Sequence, residues 1–246
     1  MGRLIAAEWI KLRTTRFLWS SVPAVALLAA VAVAGLVLSS EGAGTALYEP
    51  TEGARQAALH LTSTGAVLVI VLGIVISAGE YRTQTAIDTF LTEPRRGRVL
   101  GAKLAIGAIV GVALGVLGAA VGLPVAYILF EAEGTSFPGG NQEVWLTLGG
   151  VVLDAALFGV LGVAFGSLVR NQLVAVVSAL TVVLLLEQLL AQTVDSVARW
   201  LPGNAGAAVV RTPGDFLDPG AGAVLLLAYA VAFAVAGAIV LVRRDA

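Results

Sequence analysis

The chain has no cysteine among its 246 residues. That excludes disulfides, thiolate nucleophiles and cysteine-ligated metals. It has one histidine, His60, so a histidine metal cluster within one copy and the H-E-x-x-H metalloprotease pattern are excluded too. No G-x-x-x-x-G-K-[ST] phosphate loop occurs, so the chain is not itself a P-loop ATPase. Charge is scarce. Only 13% of residues are Asp, Glu, Lys or Arg, against about 25% in ordinary soluble domains. The formal net charge of −1 gives no electrostatic reason to bind nucleic acid.

What is plentiful is apolar surface: 58% of residues are hydrophobic. They fall into six runs, at about residues 19–39, 61–78, 104–130, 144–168, 172–191 and 221–242. Roughly 20 apolar residues span a bilayer as a helix. A buried helix of a soluble protein keeps a polar face, and these runs have almost none. The reading is an all-α membrane protein with six transmembrane helices in a single domain, residues 1–246. The first run starts after Arg16 and no cleavage site follows it, so it reads as a retained span rather than a signal peptide. Gly107, Gly111 and Gly115 recur every fourth residue and predict a face for close helix packing. Pro23 and Pro124 are placed near span ends.

The charges sort by side. Arg3, Lys11, Arg13 and Arg16 precede the first span. Arg82, Arg95, Arg96, Arg98 and Lys103 lie between the second and third. Arg170 separates the fourth and fifth, and Arg243 and Arg244 end the chain. The alternate side has only Arg55, Arg199 and Arg211, and carries nine carboxylates, among them Glu49, Glu133 and Asp215. The positive-inside rule then predicts that both termini are cytoplasmic, as an even number of spans requires.

Residues 3–16 predict an interfacial helix. Ile5, Trp9 and Leu12 share one face, aimed at lipid, with Arg3, Lys11 and Thr14 opposite. Trp9 and Trp19 would sit at headgroup depth, and Lys11 and Arg13 would serve the phosphates. A plain topology anchor is the alternative. Gly79 to Lys103 is the longest loop expected on the cytoplasmic side. Tyr81 to Thr92 reads as a short helix with an apolar patch of Ile87, Phe90 and Leu91, stopped by Pro94. A loop that only sets topology needs no such patch, so a docking surface for a cytoplasmic partner competes with a solvated basic connector. On the outer side, residues 192–220 read as one or two short helices broken at Pro202, Gly203 and Asn204.

Two carboxylates fall inside spans: Asp154 in the fourth and Glu187 in the fifth. Such groups are costly in lipid. They either hydrogen-bond locally in the bundle or mark a proton or substrate path.

The opening AEWIKLRTTR (Ala7 to Arg16), the run ISAGEYRTQTAIDTFLTEPRRGRVLGAK (Ile76 to Lys103) and the late LPGNAGAA (Leu201 to Ala208) together resemble the membrane subunits of type-2 ABC exporters, particularly the actinobacterial permeases. In the middle run the family keeps an acidic residue, Thr, Pro, a basic residue and Lys, matching Glu80, Thr85, Pro94, Arg96 and Lys103. Gln84 is a departure, since many relatives have Gly there. The resemblance implies a permease subunit of an ATP-driven exporter in the plasma membrane, with an N-terminal elbow helix containing Trp9, Lys11 and Arg13. It implies two cytoplasmic ATPase subunits holding ATP and Mg, a second permease copy or paralogue, and no cofactor on this chain. It assigns ATPase contact to the loop holding Glu80, Arg82, Thr85, Ile87, Phe90, Leu91, Pro94 and Arg96. The competing reading is an ATP-independent carrier or channel using Asp154 and Glu187. An intramembrane protease is disfavoured because the one histidine, His60, lies in an outer loop.

Overall fold

The computed structural model describes residues 1–40, 50–82, 93, 95–132, 139–140, 142–169, 171–193, 195–212, 214 and 216–243. Every regular element among them is helical. In chain order these are α1 (Gly2–Thr14), α2 (Arg16–Ser40), α3 (Pro50–Arg82), α4 (Arg96–Ala132), α5 (Gln142–Val169), α6 (Gln172–Leu180), α7 (Glu187–Thr193), α8 (Asp195–Ala198), α9 (Pro202–Val209) and α10 (Pro219–Arg243). A π-helical stretch, Thr181–Leu186, joins α6 to α7, with the Glu187 N–H donating to Val182 O. Among the described residues, six helical stretches are long and apolar enough to cross a membrane: Arg16–Gly35, Gly65–Arg82, Arg96–Ala132, Gln142–Val169, Gln172–Thr193 and Pro219–Val240.

Helix α5 is the axis of the bundle, and glycine makes it so. A Cβ on Gly73 of α3 would sit 2.6 Å from Gly159 O and 2.8 Å from Val163 N of α5. A Cβ on Gly107 of α4 would sit 2.7 Å from Gly159 O, and one on Gly111 2.7 Å from Ala156 Cα. Backbone therefore packs on backbone on both sides of α5, as small residues allow. The predicted Gly107, Gly111 and Gly115 face is the α4 side of that contact. Phe158, Leu161, Val163, Ile74 and Ile106 fill the remaining core and are almost wholly buried.

Two expectations change. Helix α4 begins at Arg96, eight residues before the predicted start at Leu104. Its 37 residues reach about 55 Å, well beyond a hydrocarbon core of about 30 Å. Arg and Lys are good helix formers, so the basic run extends the helix instead of ending it. Pro23 and Pro124 lie inside α2 and α4, and both helices continue through them.

The connection between the fifth and sixth spans forms α8 and α9. Pro202 stands at the first turn of α9, where its missing N–H costs nothing, so the Pro-Gly-Asn sequence starts a helix as well as breaking the chain. The first turns of α10 rest on α9, with a Gly222 Cβ falling 3.0 Å from Ala208 Cβ. Its last turns rest on the end of α5, with a Gly237 Cβ falling 3.3 Å from Leu168 N.

Candidate functional site

Helix α1 ends where Thr15 turns extended (φ −79°, ψ 130°), and α2 begins at the next residue. The Trp19 indole N–H donates to Arg13 O at 3.0 Å and bridges this corner. Trp9 and Trp19 are exposed, at 40% and 61%. Ile5 and Leu12, however, pack into the core of the bundle. The face expected to meet lipid is thus divided: Ile5 and Leu12 turn inward and Trp9 outward.

Glu8 lies on the inward face of α1 and is buried. Its Oε2 lies 2.7 Å from Lys103 Nζ, and its Oε1 lies 2.9 Å from Lys11 Nζ. Glu80 Oε1 is 2.8 Å from Lys103 Nζ and 2.9 Å from Lys11 Nζ. Two carboxylates and two ammonium groups alternate in a closed ring. It ties α1 to the last turn of α3 and the second turn of α4, the two helices that flank residues 83–95. Lys103 is also buried, and its Nζ lies 3.5 Å from Ile76 O. Burial by itself would raise the Glu8 carboxyl pKa, but the neighbouring ammonium groups of Lys103 and Lys11 outweigh it, and the group titrates below its usual range. Lys11 mirrors this. Burial would lower its pKa, and hydrogen bonds to Glu8 and Glu80 raise it instead.

Of the loop residues singled out from the sequence, Thr85, Ile87, Phe90, Leu91 and Pro94 lie outside the described residues. Glu80 belongs to the ring. Arg82 is exposed at the end of α3. Arg96 lines a small cavity of about 20 Å³ with Glu80, Tyr81, Lys103 and Ser167. Arg98, counted among the basic residues between the second and third spans, pairs with Glu93 at 3.4 Å. Glu8 escaped the sequence reading. The available signal was its spacing from Ile5 and Leu12, which puts a carboxylate inside the apolar stripe of α1.

At the other end of the bundle, Asp154 and Glu187 line one cavity of about 260 Å³ with Phe158, Val183, Gly203 and Gly206. Glu187 Oε1 accepts from the Gly203 N–H at 3.0 Å. Asp154 is 1% exposed, and neither of its oxygens has a hydrogen-bond partner among the described residues.

No curated protein sequence matches the chain. A family profile described as "ABC-2 family transporter protein" matches residues 4–188, which takes in α1, the charge ring and the first four spans, and extends to Glu187 in the fifth. That is well over half of the chain, and the chain belongs to the ABC-2 family of membrane transporter proteins.

Proposed function

We propose that this chain is the permease subunit of an ATP-driven exporter in the plasma membrane, with both termini cytoplasmic. Two copies, or one copy and a paralogue, enclose the translocation path. Two cytoplasmic ATPase subunits bind ATP and Mg and drive it. The observation that carries this reading is the ring of Glu8, Lys11, Glu80 and Lys103. It clamps both helices that flank residues 83–95 to α1, so a partner pushing on that loop pushes on two spans and the N-terminal helix together. Helix α1 acts as the elbow, lying on the inner leaflet with Trp9 and Arg13 toward lipid. The basic residues concentrated at this end support the orientation. No role for nucleic acid is proposed.

The test is purification of the tagged full-length chain from native membranes. An ATP-hydrolysing subunit should accompany it in equal numbers, as read by native mass spectrometry. Transport by reconstituted chain alone, without nucleotide, would establish the carrier reading in its place. Orientation is checked in this cysteine-free chain with Gly97→Cys and Gly140→Cys, two exposed positions with open space around the new side chain. An impermeant thiol reagent should label only position 140 in intact cells.

A further inference from the structure

Helix α9 carries glycine at 203 and 206, one turn apart on the same side. A carboxylate occupies the space beside each. A Cβ on Gly206 would sit 2.5 Å from Asp154 Oδ1, and one on Gly203 would sit 3.1 Å from Glu187 Cδ. The two acids come from different spans, yet they meet successive turns of one short helix. Both line the same cavity of about 260 Å³. No Lys, Arg or His belongs to its lining among the described residues.

The two acids are not equally satisfied. Glu187 has the Gly203 N–H. Asp154 is buried with both oxygens unpartnered among the described residues. An unpaired buried carboxylate is expensive, and a cation in the cavity removes the expense. Asn204 also lines the cavity, and its amide nitrogen donates to Ala198 O at 2.7 Å. The rest of the wall is apolar, including Phe158, Val183 and Leu184. Phe158 contributes an aromatic side chain to that wall, a residue type that attracts cations through its ring face. No group of three metal-ligating acids or histidines exists among the described residues, which argues against a divalent metal. Val183 and Leu184 belong to the π-helical stretch, a feature often found at functional sites. Leu184, Gln188 and Ala191 are exposed, so the cavity opens on the surface of the bundle.

We propose that Asp154 and Glu187 form a binding site for a lipophilic organic cation, an ammonium head group carrying apolar substituents, and that such compounds are the transported class. The proposal rests on the export reading above, for which it names the substrate. Asp154 supplies the main counter-charge, Glu187 the second, and Phe158 and the π-helical stretch hold the apolar part.

The test uses the full-length chain in nanodiscs of zwitterionic phosphatidylcholine, with tritiated phenyltrimethylammonium as probe. Its uncharged isostere, tert-butylbenzene, has carbon in place of nitrogen and the same shape. Binding should saturate at one probe per chain. Excess unlabelled ammonium should displace it and the isostere should not. Asp154→Asn and Glu187→Gln should each weaken binding at least tenfold, and Glu143→Gln, an acid outside the cavity, should leave it unchanged. Displacement by the isostere, unsaturable binding, or binding undiminished from wild type in both cavity variants would overturn the proposal. So would proton uptake by the two acids without ammonium binding. The isostere comparison needs only the wild-type chain, so it decides even if a variant fails to fold. No ATPase is required either. A chain that co-purifies with an ATPase but binds no ammonium refutes this site alone. One that binds ammonium and transports it without nucleotide refutes the export reading instead.

Discussion

Lys103 Nζ lies 2.7 Å from Glu8 Oε2, joining two buried side chains that are 95 positions apart in the chain. Removing one partner leaves the other with half of its ion pairs, since Lys103 keeps Glu80 and Glu8 keeps Lys11, so the cost falls below the ~3–5 kcal/mol of a fully stranded buried charge. Glu8→Gln and Lys103→Gln should each lower the thermal unfolding midpoint substantially. The double variant should lose less than the sum, with a coupling of about 0.5–3 kcal/mol. Lys11 and Glu80 keep some contacts in each variant, which limits the losses. A double-mutant cycle on purified chain measures this, and strict additivity would show that the contact contributes nothing of its own.

The ring also sets an acid limit. Glu8 titrates below the usual carboxylate range in the folded chain. A depressed carboxyl contributes stability above its unfolded pKa, about 4.3, and loses it as pH falls through the lower folded value. Lys11 is raised, so its contribution is complete below its unfolded pKa of about 10.4 and is lost as pH rises through the higher folded value. Its side chain is 44% exposed, so solvent screens that part and the alkaline effect is small. Wild type should therefore hold its advantage over Glu8→Gln from neutral pH down to about 4.3. Below that the two unfolding curves should converge, because a protonated Glu8 resembles Gln. A constant gap down to the lowest pH reached would contradict the assignment.

Helix α3 offers two glycines with opposite expectations. A Cβ on Gly73 would meet backbone atoms of Gly159, Gly162 and Val163 at 2.6–2.9 Å. Backbone cannot step aside, so Gly73→Ala must separate α3 from α5, and overpacking of this kind costs about 1–3 kcal/mol. Gly65 has nothing within 4 Å of such an atom. Gly65→Ala should be neutral or stabilise by up to about 1 kcal/mol, by favouring helix. Thermal midpoints and monodisperse yields of the two variants, made side by side, check the contrast.

The spans were legible because a bilayer demands long uninterrupted apolar runs, and nothing else in the composition produces them. Their ends were less so. Arg96 and Arg98 looked like loop because they are charged, yet a helix that leaves the membrane can carry charge freely. The ring was half legible. Lys11, Glu80 and Lys103 stood out one by one, but Glu8 did not, and it meets Lys103 across 95 positions, a pairing that no local periodicity encodes. Asp154 and Glu187 were conspicuous as charges in apolar runs. Their sharing of one cavity depends on how α9 folds back with Gly203 and Gly206 against them, and spacing along a chain does not show that.

The loop between α3 and α4 gives the most direct test of the proposed permease reading. Ile87, Phe90 and Leu91 form an apolar trio in the sequence between α3 and α4, on the side expected to be cytoplasmic, and they lie outside the described residues. The loop's flanks are held firmly. Glu80 is bound into the ring, and Glu93 pairs with Arg98 at 3.4 Å in the first turn of α4. Movement imposed on either flank by a partner would pass through the ring to α3, α4 and α1. Buried apolar anchors supply most of the grip in such an interface, at about 2 kcal/mol or more for each hot-spot residue. Phe90→Ala combined with Leu91→Ala should therefore reduce co-purifying ATPase by at least tenfold and abolish substrate-stimulated ATP hydrolysis. Membrane insertion should be unchanged, since Arg95, Arg96 and Arg98, which the positive-inside rule expects to set topology, remain. A loop that only fixes topology predicts no change in either readout. Normal insertion with undiminished ATPase binding and transport would mean that the trio meets lipid, and that the partner grips the permease elsewhere.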